Sequence, residues 1–332
     1  MNERFGSTPR PDRSSDVRQF DVVTIGDMFV DLIVSGGDIV PRFGQVEQLV
    51  ADYTLEMGGS CNIVACQAAK LALRTAVLGK IGDDDFGQLI LRRLNDSGVD
   101  TGRIVADAEL KTGLGIALCR ANDRAILTFL GSISDLKPAD IDDRAIASSR
   151  HLHYGSFFLH TGILPHAASI VTRAKDLGLT ISLDTNWDPA EQWGSGLADV
   201  LPLIDVFFPN EQEALLISRC RGLDEAAAEF ISQGVRIVVI KRGSNGASAY
   251  THGQVVHCTP QPAKAGGDSI GAGDSFDAGF LAGWLRGVPL KTSLEIACEC
   301  GRSVASEAGG LRGQPDWRAV SESIGFDGQT GI

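Results

Sequence analysis

What the 332-residue sequence lacks excludes several classes of protein. No apolar run approaches the roughly 18–20 residues that span a membrane, and the charged residues 1–19 contain no apolar core of a secretory signal. Seven cysteines, an odd number without the spacing of a disulfide framework, favour a reducing cytoplasm. With 30 basic and 42 acidic residues, the chain has no surplus of positive charge for nucleic acid. We therefore expect a cytoplasmic protein with neither a membrane nor a nucleic-acid partner.

Two common glycine motifs of nucleotide-binding proteins are missing as well. The sequence contains no G-x-x-x-x-G-K-[S/T] segment, which excludes a P-loop NTPase. Gly271-x-Gly273 has no third glycine at position 276 and lies late in the chain, so a dinucleotide-binding fold is disfavoured. An acidic chain can still bind ATP, because a few backbone N–H groups and one or two cations suffice.

The composition and the hydrophobic pattern indicate an α/β protein. Hydrophobic residues make up 43% and charged residues 22%, which is typical of a globular domain with a sizeable core. After about residue 150, short apolar runs alternate with helix-like stretches, which indicates βαβ units and a parallel sheet covered by helices on both faces. Right-handed crossovers then place the ligand edge at the carboxyl ends of the strands. The predicted strands of this half are 152–158, 179–183, 204–208 and 235–240.

The first half of the chain predicts a small additional β unit beside this sheet. Its strands come from segments near 28–57 and 113–131, the second of which is typical of a β-hairpin. No repeat and no break in composition marks a second independent domain. We predict a single domain over residues 20–320, preceded by a disordered tail over 1–19 and followed by a C-terminal tail over 321–332.

The most informative stretch runs from residue 267 to 276 and contains Gly271-Ala272-Gly273-Asp274. A glycine-rich turn that opens a helix directs backbone N–H groups outward at the positive end of the helix dipole, where a phosphate binds well. Asp274 would lie in the first helical turn and stay ionised there. A kinase needs this combination, a carboxylate for the proton of the acceptor hydroxyl and donors for the phosphoryl charge. The alternative is an N-capping aspartate after an ordinary turn.

Carboxylates and glycines near the amino terminus are candidates for binding hydroxyl groups. Asp27 follows the first predicted strand, and Asp31 comes four residues later. In the segment Gly58-Gly59-Ser60-Cys61-Asn62, the glycines permit a close approach to a polar ligand, and Asn62 offers both a donor and an acceptor. For Asp27 the alternative is a turn-forming aspartate.

Two further segments follow predicted strands of the second half. Asn210 is placed to cap a helix with Glu213 as its capping-box partner, or the two residues hold water and Mg²⁺ near nucleotide phosphates. The segment 241–246, Lys-Arg-Gly-Ser-Asn-Gly, combines a strand end, a cationic pair and a glycine turn. A lone Gly-x-x-Gly is usually a hairpin turn, so this segment is weak evidence by itself.

Taken together and in this order, these segments resemble the ribokinase-like (PfkB) family of carbohydrate and nucleoside kinases. The resemblance runs from about residue 20 to about residue 315. Residues 268–274, Asp-Ser-Ile-Gly-Ala-Gly-Asp, are similar to the family's D-T-x-G-A-G-D signature, and Asn210-x-x-Glu213 is similar to its N-x-x-E motif. Segments 58–62 and 79–87 add to the match. The resemblance implies a ribokinase-like three-layer α/β/α sandwich with a mainly parallel central sheet and a small β-sheet lid.

The resemblance implies roles for the candidate side chains. Asp31 and Lys241 are included because they lie close to residues that match the family. Asp274 corresponds to the catalytic base, and Glu213 to a water-mediated Mg²⁺ contact. The expected anion hole consists of Gly271, Ala272 and Gly273. The expected contacts to the acceptor are Asp27, Asp31, Gly58, Gly59 and Asn62. The expected contacts to ATP are Asn210, Lys241, Gly243, Gly246, Gly271 and Gly273. In several members the positions of Asp268 and Ile270 contribute to a K⁺ site.

These roles predict an enzyme that transfers a phosphoryl group from ATP, with Mg²⁺, to the primary hydroxyl of a neutral sugar. Asp188 stands where many sugar-acid kinases of the family carry arginine, and an acid there disfavours an anionic acceptor. One alternative is an adenosine-like nucleoside kinase of the same fold, and another is a non-catalytic ligand-binding module. The family's lid often forms a dimer contact, so the resemblance also implies a homodimer through the lid.

Overall fold

The computed structural model describes residues 18–36, 39–120, 123–264, 267, 269–307 and 309–327. The predicted tail of residues 1–19 therefore lies almost wholly outside the described residues. Within the described ranges the strands form two sheets, one of nine strands and one of four. No helix in these ranges combines the length and the apolar character needed to cross a membrane.

The elements are numbered in chain order. The strands are β1 (Phe20–Ile25), β2 (Phe29–Ser35), β3 (Asp52–Met57), β4 (Thr75–Gly82), β5 (Asp100–Asp107), β6 (Gly113–Arg120), β7 (Asp123–Phe129), β8 (Ser149–Tyr154), β9 (Thr180–Leu183), β10 (Val206–Phe207), β11 (Ile237–Lys241), β12 (Ala247–Tyr250) and β13 (Val255–Cys258). The helices are α1 (Ser60–Lys70), α2 (Asp85–Asp96), α3 (Asp143–Ala147), α4 (Ala167–Asp176), α5 (Leu197–Val200), α6 (Glu211–Ser218), α7 (Leu223–Ser232), α8 (Ala272–Leu285), α9 (Leu290–Ala305) and α10 (Trp317–Ile324).

The large sheet is mainly parallel, as predicted. Its strands follow the order β13-β12-β11-β10-β9-β8-β1-β4-β5. All neighbours from β11 to β5 pair in parallel, and β12 and β13 add an antiparallel edge. Parallel neighbours need crossover connections, which explains why helices alternate with strands from β8 to β11. This arrangement brings the carboxyl ends of β1, β8, β9, β10 and β11 to one edge of the sheet.

Helices cover both faces of this sheet, so that the fold has three layers. The successive residues Val22 and Val23 of β1 belong to different hydrophobic clusters, because side chains alternate across a strand. Val23 shares a cluster with Ile170 of α4, whereas Val22 shares one with Val64 of α1 and Ala278 of α8. Strands buried on both faces carry continuous apolar runs, which is the pattern that the sequence shows.

The small sheet has the order β3-β2-β6-β7 and takes its strands from the segments predicted for it. The hairpin β6–β7 is antiparallel, as is the pair β2–β3, whereas β2 and β6 pair in parallel. The small sheet is therefore mixed. Leu32, Leu55, Ile116 and Leu127 are neighbours in register and share one of its faces.

The last helix extends beyond the predicted domain boundary at residue 320. Asp316 caps the helix, because its side chain accepts a hydrogen bond from the backbone N–H of Ala319 at 2.8 Å. Val320 is buried against the core, and the helix continues to Ile324. The boundary at 320 thus falls inside a packed helix.

Candidate active site

Polar residues follow the carboxyl ends of adjacent parallel strands of the large sheet. They come after β1, β8, β9 and β10 and at the end of β11. The residues are Asp27, Ser156, Asp184, Asn210 and Lys241. Ligands of open α/β sheets bind at this edge, so the topology itself identifies the candidate site. Helices α1, α6 and α8 begin at the same edge, and their first turns contribute the remaining polar groups.

Helix α8 begins at the glycine-rich turn that the sequence singled out. Its N-cap, Gly271, adopts a left-handed backbone with φ 69°, and no side chain caps the helix. An added Cβ at Gly271 would lie 2.8 Å from Cα of Gly310, so a larger residue meets backbone there. The Ala272 N–H donates a long hydrogen bond of 3.4 Å to the Ser269 carbonyl oxygen, and no side chain caps the N–H of Gly273. The start of a helix of this kind attracts an anion.

Asp274 lies in the first turn of α8 and contacts helix α1. The Ser60 hydroxyl donates a hydrogen bond of 2.5 Å to Oδ1 of Asp274. Burial raises the pKa of Asp274 to about 6; the Ser60 bond opposes this shift, and the nearby charge of Asp184 adds to it. A carboxyl with this pKa is mostly ionised at neutral pH and can accept a proton there.

Asp27 caps helix α1 instead of facing an open cleft. Its carboxylate accepts hydrogen bonds of 2.9 Å from the backbone N–H groups of Ser60 and Cys61 and of 2.6 Å from the Ser156 hydroxyl. The side chain is only 2% exposed, and burial raises its pKa to about 6 against these bonds. The N-cap of α1 is Gly59, with φ 85°, where an added Cβ would lie 2.0 Å from the carbonyl oxygen of Asp27.

Asp31 and Asn62 occupy different environments. Asn62 is fully buried, and its Nδ2 donates to the carbonyl oxygens of Gly58 at 3.0 Å and of Asp27 at 3.3 Å. Asp31 lies on β2 and is partly exposed. A Cβ added to Gly58 would lie 2.1 Å from Oδ2 of Asp31, and one added to Gly115 would lie 2.5 Å from its Oδ1. The absence of a side chain at both glycines therefore leaves space for this carboxylate.

Lys241 binds two buried carboxyl groups. Its Nζ donates hydrogen bonds of 2.6 Å to Oδ2 of Asp184 and of 3.2 Å to Oδ2 of Asp277. Burial alone would raise the pKa of Asp184, but the charge of Lys241 keeps it below its ordinary value. Burial raises the pKa of Asp277 well above its ordinary value despite Lys241. Asp184 is therefore ionised, whereas burial favours the protonated form of Asp277. An added Cβ at Gly273 would lie 3.7 Å from Nζ, so this cluster adjoins the start of α8.

Asn210 and Glu213 form the capping box of helix α6. Oδ1 of Asn210 accepts from the Glu213 N–H, and Oε2 of Glu213 accepts from the Asn210 N–H, both at 2.9 Å. The capping box, which was the alternative to Mg²⁺ binding for this pair, is therefore present. Burial and the charge of Asp184 raise the pKa of Glu213 to about 7, so this carboxyl is close to the charged groups of the site. Carboxylate oxygens of this kind suit Mg²⁺, directly or through water.

The remaining predicted residues lie in turns. Gly243 begins an exposed turn after β11, and Gly246 ends it with φ 87°, where an added Cβ would lie 1.9 Å from the Cys258 carbonyl oxygen. Ile270 immediately precedes Gly271, whereas Asp268 lies outside the described residues.

Asp188 does not face the site as the sequence argument assumed. Its carboxylate accepts hydrogen bonds from the backbone N–H groups of three residues of its own loop. The donors are Ala190, Gln192 and Trp193. The side chain is only 3% exposed, so repulsion from Asp188 is a weak reason to exclude an anionic acceptor.

Comparison with known proteins decides the family. Residues 19–317 match the profile described as pfkB family carbohydrate kinase. The chain belongs to this family. The resemblance inferred from the motifs is thereby confirmed.

Relatives of this family cover most of the chain. The ATP-dependent ribose-1-phosphate kinase of Halopiger xanaduensis is 33% identical over 269 residues, 80% of this chain and 85% of the relative. Probable fructokinase-5 of Arabidopsis thaliana is 26% identical over 89% of this chain and 94% of the relative. A crystal structure from E. coli, described as a candidate Ribokinase II in complex with ATP and Mg²⁺, is 25% identical and has a TM-score of 0.82 over 92% of this chain and 99% of that chain. The ribokinase-like fold is thus confirmed, and these kinase relatives support a phosphotransferase with an alcohol acceptor.

Sequence reasoning gave no role to several residues of the site. Ser60 lies within the segment 58–62 that resembles the family, but its partner Asp274 is 214 residues away in the chain. Ser156 and Asn186 have left-handed backbones with φ 48° and 52°, and Nδ2 of Asn186 donates to the Ser156 hydroxyl at 2.8 Å. Asparagine is enriched in left-handed backbones, so Asn186 carried a weak local signal, whereas Ser156 carried none.

Gly271→Ala tests how tightly the start of α8 is packed. Both Gly271 and Gly243 have positive φ, at 69° and 54°, but an added Cβ at Gly243 meets nothing within 4 Å. Gly243→Ala therefore isolates the backbone strain, which costs about 1–2 kcal/mol. We expect Gly271→Ala to lower the free energy of unfolding, measured in denaturant, by clearly more than Gly243→Ala does. Equal losses of unfolding free energy would show that the backbone at Gly310 can move to accommodate the added methyl group without loss of stability.

Proposed function

We propose that the protein is an ATP-dependent kinase that phosphorylates the primary hydroxyl group of a neutral sugar. The observation that carries this proposal is Asp274, a carboxyl with a pKa of about 6, placed in the first turn of a helix that has no side-chain cap. A base and an anion site thus lie within one helical turn. The pfkB family membership supports the same chemistry.

In the proposed reaction, Asp274 accepts the proton of the acceptor hydroxyl as the hydroxyl oxygen bonds to the terminal phosphorus of ATP, while the bond from that phosphorus to the bridging oxygen breaks and ADP leaves. The first-turn N–H groups of α8, from Gly271 to Gly273, stabilise the charge that develops on the phosphoryl oxygens. Asn210, Lys241, Gly243 and Gly246 are the proposed contacts along the nucleotide. Lys241 acts there as part of the cluster with Asp184 and Asp277, because its ammonium group is already paired.

The carboxyl groups at this edge fit a hard divalent cation. Glu213, whose burial raises its pKa to about 7, would contact Mg²⁺ through water. Bound Mg²⁺ would offset the negative charge of the phosphates. We also propose the monovalent cation site at Asp268 and Ile270, which a dependence of turnover on K⁺ would test.

The acceptor would bind between the small sheet and the start of α1. The proposed contacts are Asp31, Gly58 and Gly59, while the buried Asp27 and Asn62 hold the start of α1 and the segment before it in place. Among them Asp31 offers a partly exposed carboxylate that lies beside Gly58 and Gly115. The carboxyl groups of Asp31, Asp274 and Glu213 near this region favour an uncharged acceptor over an anionic one.

A sugar phosphate is the second candidate acceptor. Asp188 is folded into its own loop, which removes one reason to exclude an anion. The relative from Halopiger xanaduensis is named for ribose-1-phosphate. An acceptor panel must therefore include this compound.

Asp31→Asn and Asp27→Asn separate binding from capping. We expect Asp31→Asn to raise the KM of the acceptor about tenfold or more, as for a charged hydrogen bond, with little change in Tm. Asp27→Asn should instead lower the stability by about 0.5–2 kcal/mol, because it weakens the cap of α1. Acceptor kinetics and thermal unfolding of both variants check this. The reverse pattern would make Asp27 the direct contact.

Acceptor-dependent release of ADP from MgATP tests the proposed function. The panel comprises neutral sugars, sugar acids, nucleosides and ribose-1-phosphate, with Asp274→Asn as the control. Turnover with a neutral sugar that is lost in the variant supports the proposal. Turnover with a nucleoside or with ribose-1-phosphate instead would identify that compound as the acceptor. Folded protein without acceptor-dependent ADP release would favour a binding module.

We propose in addition that two copies associate through the small sheet, as the family lid suggests. Large apolar side chains of this sheet and of the loop between β2 and β3 are exposed. Tyr53, Leu55, Leu127 and Phe129 share one face of the sheet, and Phe43 and Leu49 lie in the loop between β2 and β3. Apolar patches of this kind are typical of interfaces. Light scattering in solution tests the association, and a monomer at all concentrations would contradict it.

A further inference from the structure

Ser60 joins the first turns of two helices at the site. Its backbone N–H donates to Oδ2 of Asp27 at 2.9 Å, and its hydroxyl donates to Oδ1 of Asp274 at 2.5 Å. Ser60 is the first residue of α1, whereas Asp274 lies in the first turn of α8. One side chain therefore connects the cap of α1 with the proposed base on α8.

We propose that Ser60 is a positioning residue that orients Asp274 and assigns its two oxygens to different tasks. This inference rests on the proposed function. The Ser60 hydroxyl occupies Oδ1, so Oδ2 is left to accept the proton of the acceptor hydroxyl. Rotation of the carboxyl group would break a short hydrogen bond to a charged acceptor, which is among the stronger kinds of hydrogen bond.

Ser60 can act in this way because its own position is held firmly. Asp27 accepts from the Ser60 N–H and also from the Ser156 hydroxyl at 2.6 Å. The Ser156 oxygen in turn accepts from Nδ2 of Asn186 at 2.8 Å. Ser156 and Asn186 both have left-handed backbones, an unfavourable conformation that persists where surrounding contacts determine it. The chain of hydrogen bonds thus runs from the loop after β9 to the base.

The Ser60 bond also stabilises the ionised form of Asp274. A donor to a carboxylate lowers its pKa, so removing the hydroxyl should raise the pKa of Asp274 above its value of about 6. Other ionisable groups act on the same carboxyl from every element around it. They are Asp27, Cys61, Asp184, Glu213, Lys241 and Asp277. Their contributions remain when only the Ser60 hydroxyl is removed, so the change in pKa reports the Ser60 bond.

Ser60→Ala, compared with Ser60→Thr and Ser149→Ala, tests the proposal. Ser60→Thr keeps a hydroxyl, and Ser149→Ala removes an equally buried hydroxyl that donates to the Ala145 carbonyl oxygen at 2.7 Å. At pH 7 we expect Ser60→Ala to lower kcat by roughly 10–100-fold, with the KM of the acceptor within about twofold of wild type. The midpoint of the acidic limb of kcat should move to higher pH by about 0.5–1 unit. Ser60→Thr should retain most activity, and Ser149→Ala should match wild type.

An NMR titration separates this inference from the proposed function. Protein labelled with ¹³C in the aspartate carboxyl groups reports the pKa of Asp274 without turnover, and Asp274→Asn assigns the signal. A higher pKa in Ser60→Ala supports the bond even if no acceptor in the panel is phosphorylated. If Ser60→Ala does not fold, Ser60→Cys, with a weaker donor of similar size, should shift the midpoint in the same direction. An unchanged pKa, or a raised KM with unchanged kcat, would overturn the proposal.

Discussion

Asp274→Asn is expected to lower turnover by roughly 10²–10⁴-fold while the protein stays folded, since this is the range for losing general base catalysis. The amide has nearly the same shape and can still accept the Ser60 hydrogen bond, but it cannot take up the proton of the acceptor. Removing a buried carboxyl whose pKa is raised should not lower the stability. Initial rates at saturating MgATP and acceptor, together with thermal unfolding, measure both effects.

Asp277→Asn is the matched control for this experiment. Asp277 lies on the same helix and is fully buried, and burial raises its pKa well above the ordinary value, which favours the protonated form. An amide resembles a protonated carboxyl group, so we expect less than a tenfold loss of turnover. Equal losses in the two variants would show that Asp274 is no more important than its neighbour and would remove it from the mechanism.

Lys241→Met is expected to lower the free energy of unfolding by roughly 3–5 kcal/mol, because it leaves the charge of Asp184 buried without its partner. Adding Asp184→Asn to this variant should restore much of the loss, since an amide needs no counter-charge. The free energies of unfolding of the wild type, the single variants and the double variant form the cycle that measures this coupling.

The adjacent Arg242 provides the control for Lys241. Arg242 forms an ion pair of 3.0 Å with Glu211 on the surface. Surface pairs of this kind contribute about 0–1 kcal/mol, so Arg242→Met should cost little. A similar loss of stability in both variants would mean that the buried ion pairs of Lys241 contribute no more than a surface ion pair.

Several features of the fold and the site could be predicted because they depend on neighbours in the chain. The parallel sheet followed from the alternation of apolar runs and helical stretches. The capping box of Asn210 and Glu213 follows from their spacing of three residues. The glycine turn before Asp274 predicted a helix start, and α8 begins there. For the capping box and the helix start, the spacing along one segment is sufficient to determine the geometry.

Asp27 and Asp31 show where this reasoning ends. From sequence both were candidates for binding hydroxyl groups, because both are carboxylates close to the end of the first strand. Asp27 caps α1, which begins 33 residues later in the chain, whereas Asp31 lies beside Gly58 and Gly115 on the small sheet. The packing of distant segments decides which carboxylate is used as a cap.

The sequence by itself determined the family, the α/β class, the glycine turn and the position of Asp274 in a first helical turn, because periodicity, turns and caps are local properties of the chain. Only the tertiary structure decided the partners of the charged groups. Lys241 pairs with Asp184 and Asp277, which are 57 and 36 residues away, and Ser60 binds Asp274 across 214 residues. Hydrogen bonds and buried charges act through space, so these pairings exist only once the strands and helices have met at one edge of the sheet.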